Sequence, residues 1–255
     1  MKIIKFLVSA LLTLGVIVLV IWSVIKAKEQ KCTDAFVTIR TQKEMQLLSK
    51  SDILNILKRN HVEWEGKTIK EIGLSNIHKV LADENYIKSV DKVHILGTKL
   101  QIEVTLYDVL LEINRANGDK FLLDANGIYL PYSPKVKNDV IIASGYIPNT
   151  FQNKERITFE HTELYEIFTV ATLIHADPFY NALFRKMYVN EKLEIVLTPS
   201  VGDVPVLFGT MQDAEHKLKV LRRMYEDVMP YTPENKFAQL DVRYKNRIVA
   251  TKTKS

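Results

Sequence analysis

A single cysteine, Cys32, excludes an internal disulfide and a cysteine-based zinc site. Any domain held outside the cytoplasm must then be stabilised by burial alone, which about 200 residues suffice to do. Histidine is sparse as well. The six residues, at 61, 78, 94, 161, 175 and 216, show no HExxH or other metal-ligand spacing. No GxSxG, P-loop or GxGxxG occurs, so the common hydrolase and nucleotide signatures are missing and no cofactor or small-molecule substrate is implied. The carboxylates are dispersed, which leaves a glycosidase pair open because its members can lie far apart in sequence. Although the net charge is +5, lysine and arginine are scattered rather than clustered, which argues against nucleic acid as a partner. There is no internal repeat and no low-complexity tract.

With 47% hydrophobic and 25% charged residues, the composition is that of a chain that buries a core. Its longest apolar run, residues 6–25 (FLVSALLTLGVIVLVIWSVI), carries no charge. Twenty helical residues rise about 30 Å, the thickness of a bilayer's hydrocarbon layer, so the run predicts a transmembrane helix. Trp22 lies near one end, where an indole suits the headgroup level. A cleaved signal peptide would have a shorter apolar stretch and an A-x-A-like exit, whereas here Trp22-Ser23-Val24-Ile25-Lys26-Ala27-Lys28 follows. The charges do not set the orientation, since Lys2 and Lys5 precede the run and Lys26, Lys28 and Lys31 follow it. Residues 1–5 read as a tail and 26–34 as a linker holding Cys32 as a free thiol.

Beyond the linker, Phe36-Val37-Thr38-Ile39 predicts a strand, and Ser51-Asp52 a helix N-terminus ahead of Ile53, Leu54, Ile56 and Leu57. A second helix spans 74–82, with Leu74, Ile77 and Leu81 on one face. Residues 90–96, a turn at Gly97, and the alternating Leu100, Ile102, Val104 and Leu106 then read as two strands. The order over 35–108 is β-α-α-β-β. Residues 109–255 read as a second, β-rich domain with two helices. FLLDANG over 121–127 predicts a hairpin at Asn-Gly, and strands are expected near 140–143, 187–189, 193–198 and 204–209. One helix begins at Thr162 and stops before Pro178. The other runs from about Met211 to Met229, with Thr210 as its N-cap, Asp213 three residues on, and Pro230 at its end. The fold class is thus α+β.

Two features raise a functional question. His175 and Asp177 stand two apart at a helix end, but nothing else converges on them, and a cation-capable residue near a helix C-terminus explains the pair. Near the C-terminus, residues 237–251 read as strand on both sides of Lys245-Asn246-Arg247; Leu240, Val242 and Tyr244 alternate with Gln239, Asp241 and Arg243, predicting an edge strand on which Lys245, Ile248 and Ala250 also lie. Such an edge either pairs with another chain or is an ordinary one blunted by its charges.

In order, these pieces resemble the FtsQ/DivIB family of bacterial cell-division proteins. YIKSV at 86–90 with VHILGTKLQIEV at 93–104 resembles the end of that family's POTRA domain. FLLDANG resembles the opening hairpin of its β domain, and Leu207-Phe208-Gly209, a helix, then Asp241-Val242-Arg243-Tyr244 resembles its closing pattern. The chain departs at Leu106-Tyr107-Asp108-Val109, which lacks the usual junction proline, and at Asn246-Arg247, where the closing turn often has glycine. The resemblance implies a non-enzymatic scaffold, anchored as a single-pass type II protein of the inner membrane with its N-terminus cytoplasmic and its bulk periplasmic, concentrated at the division septum. It implies strand addition by an FtsB-like partner, beside an FtsL-like one, at Leu240, Asp241, Val242, Arg243, Tyr244, Lys245, Ile248 and Ala250. The POTRA-like domain would position other membrane-embedded division proteins. Two other readings stay open: a POTRA-bearing envelope-assembly or secretion accessory protein, and an anchored cell-wall hydrolase.

Overall fold

The computed structural model describes residues 11–23, 30–41, 47–136, 140–147, 153–158, 162–202, 204–232, 236–245 and 247–253. Residues 11–23 are helical with their apolar side chains exposed, for example Leu11 at 75% and Trp22 at 59%. Among the described residues no helix is long and apolar enough to cross a membrane. The rest of the expected 6–25 helix, residues 6–10 and 24–25, lies outside the described residues, as do the 1–5 tail and residues 26–29 of the linker. The remainder divides into two compact units, the first ending at Leu106 and the second running on from Tyr107.

The first unit has the expected β-α-α-β-β order. β1 (Asp34–Arg40) is followed by α1 (Lys50–Arg59), α2 (Leu74–Ala82), β2 (Ile87–Leu96) and β3 (Lys99–Leu106). The three strands form a sheet of order β1-β3-β2, with β1 parallel and β2 antiparallel to β3. Two helices supply the long crossover that the parallel pair requires. The alternation of β3 buries Leu100, Ile102 and Val104, while Ile53, Ile56 and Leu57 of α1 and Ile77 and Leu81 of α2 are buried from the helices. The N-cap of α1 is Ser49 rather than Ser51 or Asp52. Ser49 Oγ accepts the Asp52 N–H at 3.2 Å and Asp52 Oδ2 accepts the Ser49 N–H at 2.8 Å, a reciprocal capping box. Cys32, expected as a free thiol in the linker, is fully buried. Its N–H donates to Lys67 O at 2.9 Å and its carbonyl accepts from Gly66 N at 2.8 Å, so the chain is already tied to this unit before β1 begins.

Among the described residues the second unit is one sheet of nine strands carrying three α-helices. In chain order it comprises β4 (Val109–Arg115), β5 (Lys120–Asp124), β6 (Tyr129–Pro131), β7 (Ile141–Gly145), α3 (Thr162–Ala176), α4 (Pro178–Leu183), β8 (Phe184–Val189), β9 (Ile195–Pro199), β10 (Val206–Gly209), α5 (Ala214–Arg223), β11 (Phe237–Asp241) and β12 (Val249–Lys252). Across the sheet the order is β12-β11-β10-β9-β8-β7-β4-β5-β6. Parallel neighbours occur at β4–β7, β7–β8 and β10–β11. Helices α3 and α4 make the crossover for the second pair and α5 for the third, as parallel pairing demands. Leu164, Ile167, Val170, Ala171 and Ile174 of α3 and Leu218 and Leu221 of α5 join Phe184, Phe208 and Leu240 of the sheet in one core.

Local chemistry sets the turns. Asp124 is fully buried, and its Oδ1 accepts the N–H groups of Asn126 at 2.9 Å and Ile128 at 2.7 Å, while its Oδ2 accepts Asn126 Nδ2 at 3.0 Å. This carboxylate is the scaffold of the Asn-Gly turn. Gly127 has φ +75°, and a Cβ there would meet Ile157 Cγ1 at 2.7 Å, so glycine is needed for conformation and for space. Helix α5 begins at Ala214, not Met211. Asp213 adopts a left-handed conformation without capping the helix through its side chain, and Thr210 Oγ1 only accepts from Gln212 N at 3.4 Å. Past α5 the chain continues as a π turn over Met224–Val228 and a 3-10 turn over Met229–Tyr231 that contains Pro230.

Candidate functional site

The expected edge strand is two strands. β11 lies inside the sheet between β10 and β12, with Val206 paired to Leu240 and Leu207 to Asp241. After Val242 the chain turns at Tyr244 and Lys245 and returns as the four-residue β12, pairing Val249 with Asp241 and Ala250 with Leu240. Ile248 and Ala250 therefore belong to the return segment and not to the strand of Leu240. The sequence pattern marks a turn near Asn246-Arg247, but with no glycine there to reverse the chain its two sides read as one strand. Asn246 itself lies outside the described residues.

The eight expected contact residues thus separate. Leu240 and Val242 are buried at 0% and 2% exposure and belong to the core, against which Ile248 and Ala250 pack half-buried. Tyr244 and Lys245 are exposed at the turn, with the Arg247 guanidinium 5.1 Å from the centre of the Tyr244 ring. The eight expected contacts leave out Val249, Thr251 and Lys252, whose side chains are exposed on β12. Val249 stands between Ile248 and Ala250 in the sequence, so no local contrast marks it.

Arg243 is engaged within the protein. Its Nη1 donates to Glu194 Oε1 at 2.6 Å, its Nη2 to Asp241 Oδ2 at 2.7 Å and its Nε to Asp241 Oδ1 at 3.0 Å, while its backbone N–H donates to that same Oδ1 at 3.0 Å. The guanidinium ties the root of the hairpin to the start of β9. Its side chain crosses Gly209, which has φ +81°, and a Cβ there would stand 2.9 Å from Arg243 Cγ. The Leu207-Phe208-Gly209 and Asp241-Val242-Arg243-Tyr244 motifs are thereby one structural device. Gly209→Ala is expected to cost about 1–2 kcal/mol from backbone strain and crowding. Urea unfolding checks this; a stabilised variant, as glycine-to-alanine gives at unstrained sites, would refute the role of Gly209.

The cluster's electrostatics fit holding rather than proton transfer. The side-chain hydrogen bond from Asn190, joined by Arg243, holds the Glu194 carboxyl below its ordinary value against the opposing effect of burial. Burial raises the Asp241 carboxyl, but the Arg243 hydrogen bonds outweigh it and the net shift is downward. Arg243 is pushed up by the same bonds to Asp241 and Glu194. Both carboxylates are more acidic folded than unfolded, so their contribution is full above the ordinary carboxylate range and is lost as pH falls through and below it. The acid limb of stability should be shallower in Arg243→Gln than in the parent when measured by urea unfolding at stepped pH; parallel limbs would contradict the assignment.

Beside the hairpin, Lys217 of α5 is 9% exposed, donates from Nζ to Thr210 O at 2.9 Å, and lies 4.9 Å from the centre of the Phe208 ring. Burial lowers its pKa, against Asp213, Glu166 and Asp241. Together with Arg243 it lines an open groove at the hairpin root. The His175 and Asp177 pair resolves as structure: Asp177 Oδ1 accepts the Phe179 N–H at 2.9 Å, capping α4, and pairs with Arg222 Nη2 at 2.7 Å. No group of three or more His, Cys, Asp or Glu among the described residues could hold a metal ion.

The two ends of the sheet are unlike. At β6, Tyr129 N–H donates to Glu155 O at 2.8 Å and Lys154 N–H to Tyr129 O at 2.9 Å, so an irregular segment closes that edge. At β12 no described segment pairs with the outer side. Comparison with known proteins bears on both units. A family model described as FtsQ/DivIB, C-terminal related, matches residues 110–251, and one for a POTRA-like domain matches residues 30–105. No curated protein matches the chain. The first match spans more than half of the chain, from the second residue of β4 into β12, and the chain therefore belongs to the FtsQ/DivIB C-terminal related family, with a POTRA-like domain ahead of it.

Proposed function

We propose that this protein is a non-enzymatic scaffold of the bacterial division complex that receives a partner chain by β-strand addition on the outer side of β12. Family membership supports a division scaffold, and the observation that carries the binding mode is the unlike pair of sheet edges, β6 closed by the protein's own backbone and β12 with no strand on its outer side among the described residues. Main-chain hydrogen bonds along the four residues of β12 would give affinity, and Val249, Thr251 and the ring of Tyr244 selectivity. The partners are of the FtsB and FtsL kind, single-pass proteins with coiled coils. The apolar run over 6–25 anchors the chain in the inner membrane with its bulk periplasmic, concentrated at the septum.

Capture of the tagged full-length protein from solubilised membranes, beside Val249→Pro and Ala250→Pro, tests this reading. Adjacent strand residues direct their N–H groups to opposite sides, so one of the two prolines removes an outward donor while sparing the β11 ladder. Small single-pass proteins that accompany the parent and are missing from that folded variant are the expected outcome. Their retention by both variants would move the site away from β12, and an even distribution of the protein over the envelope would favour an assembly or secretion role instead.

A further inference from the structure

We infer that the β2–β3 hairpin tip of the first unit, with Leu96 at the tip and Phe36 on the adjoining β1, rests on the surface of the bilayer that holds the anchor. This rests on reading residues 6–25 as a membrane helix. Sequence length limits the separation: five residues, 26–30, lie between Ile25 and Lys31, and even fully extended they reach about 20 Å. The first unit is attached from Lys31 onward. Lys31 forms an antiparallel bridge with Thr68, and the Thr33 N–H donates to Thr98 O at 2.8 Å, in the Gly97-Thr98 turn itself. The hairpin tip is thus fixed beside the point at which the chain leaves for the membrane.

The side chains there suit an interface of hydrocarbon and headgroups. Leu96 is 62% exposed and Phe36 49%, on the sheet face opposite the buried Leu100, Ile102 and Val104. Leu96 pairs with Lys99 across the turn, and the Lys99 ammonium lies 4.7 Å from the centre of the Phe36 ring. An exposed leucine and phenylalanine topped by a lysine is the grouping that places apolar atoms among acyl chains and a charge at the phosphate level. Lys31, exposed two residues before Thr33, brings a further positive charge to the same end of the unit, which selects an anionic surface as the occupant.

The test uses the full-length protein in vesicles of phosphatidylethanolamine and phosphatidylglycerol, with Leu96→Cys carrying an environment-sensitive fluorophore. The buried Cys32 is controlled by the unsubstituted chain, and Tyr231→Cys, at 85% exposure in the second unit, serves as the reference position. The expected result is blue-shifted emission at position 96 that is lost when spin-labelled lipids are included, with no such loss at 231, and a weaker effect in pure phosphatidylcholine. Polar, unquenched emission at 96 would overturn the inference, as would a blue shift indifferent to spin-labelled lipid, which would instead identify a protein or a second copy of the chain at the tip. Resistance of the same sample to carbonate extraction reports the anchor separately, so loss of the anchor reading and failure of the docking are told apart.

Discussion

Arg243→Glu is expected to destabilise the second unit by about 2–4 kcal/mol and to expose residues 237–253 to proteolysis, whereas Arg243→Ala should cost only about 1–2 kcal/mol. The difference comes from what each leaves behind. Alanine removes the bonds to Glu194 and Asp241, whose side chains retain 20% and 15% exposure and so recover part of their hydration. Glutamate adds a third carboxylate where two already converge, and like charges that close favour opening of the hairpin root. Partner capture would fall in Arg243→Glu through loss of the edge rather than of a contact. Urea unfolding and limited proteolysis measure both parts. A charge reversal that left stability and protease resistance unchanged while abolishing capture would show that Arg243 serves the partner directly and that its internal bonds are dispensable.

A second large effect separates two residues at the same end of the chain. Leu240→Ala should cost about 3 kcal/mol, because the side chain is fully buried among Val242, Val206 and Phe208 and its removal leaves a cavity. Val249→Ala, at 44% exposure on the outermost strand, should change stability by less than about 0.5 kcal/mol while weakening capture. Equal destabilisation by the two, or a capture defect confined to Leu240→Ala, would contradict the division of the hairpin into a core strand and an edge strand.

What the sequence made legible followed from period and spacing. The alternation of Leu100, Ile102, Val104 and Leu106 and the span of α2 emerged as read, because in each one face is buried and one is wet. β4 went unread for the opposite reason. Its first five residues, Val109, Leu110, Leu111, Glu112 and Ile113, are all buried in a strand with neighbours on both sides, so no alternation marks it as an element. Pro178 was taken only as a stop for α3, although proline also suits the first turn of a helix, and there it opens α4 behind the Asp177 cap. The N-cap of α1 slipped by two residues because Ser49 and Ser51 both precede the same apolar stripe and only the bond to Asp52 distinguishes them.

At the hairpin, the residue types were legible and their roles were not. Arg243 and Tyr244 stood out through the family pattern, but of the two carboxylates that occupy Arg243 only Asp241 is near in sequence; Glu194 is 49 positions away, and no local rule links them. The same holds for Gly209, whose need for φ +81° is a fact of the turn and whose need for space is set by a side chain from the terminal hairpin. The alternation of Leu240, Val242 and Tyr244 close to the terminus suggested an edge there. The register of β11 and β12 then moved that edge from Leu240 to Val249–Lys252.

Amide hydrogen exchange in Val249–Lys252, followed in the full-length protein alone and in complex with a co-expressed coiled-coil partner, tests strand addition most directly. The account predicts rapid exchange of the outward N–H groups of β12 in the free protein and strong protection in the complex, with β6 unchanged because Glu155 and Lys154 already close it. A stable complex in which Val249–Lys252 exchange as fast as before, with protection arising elsewhere, would contradict it.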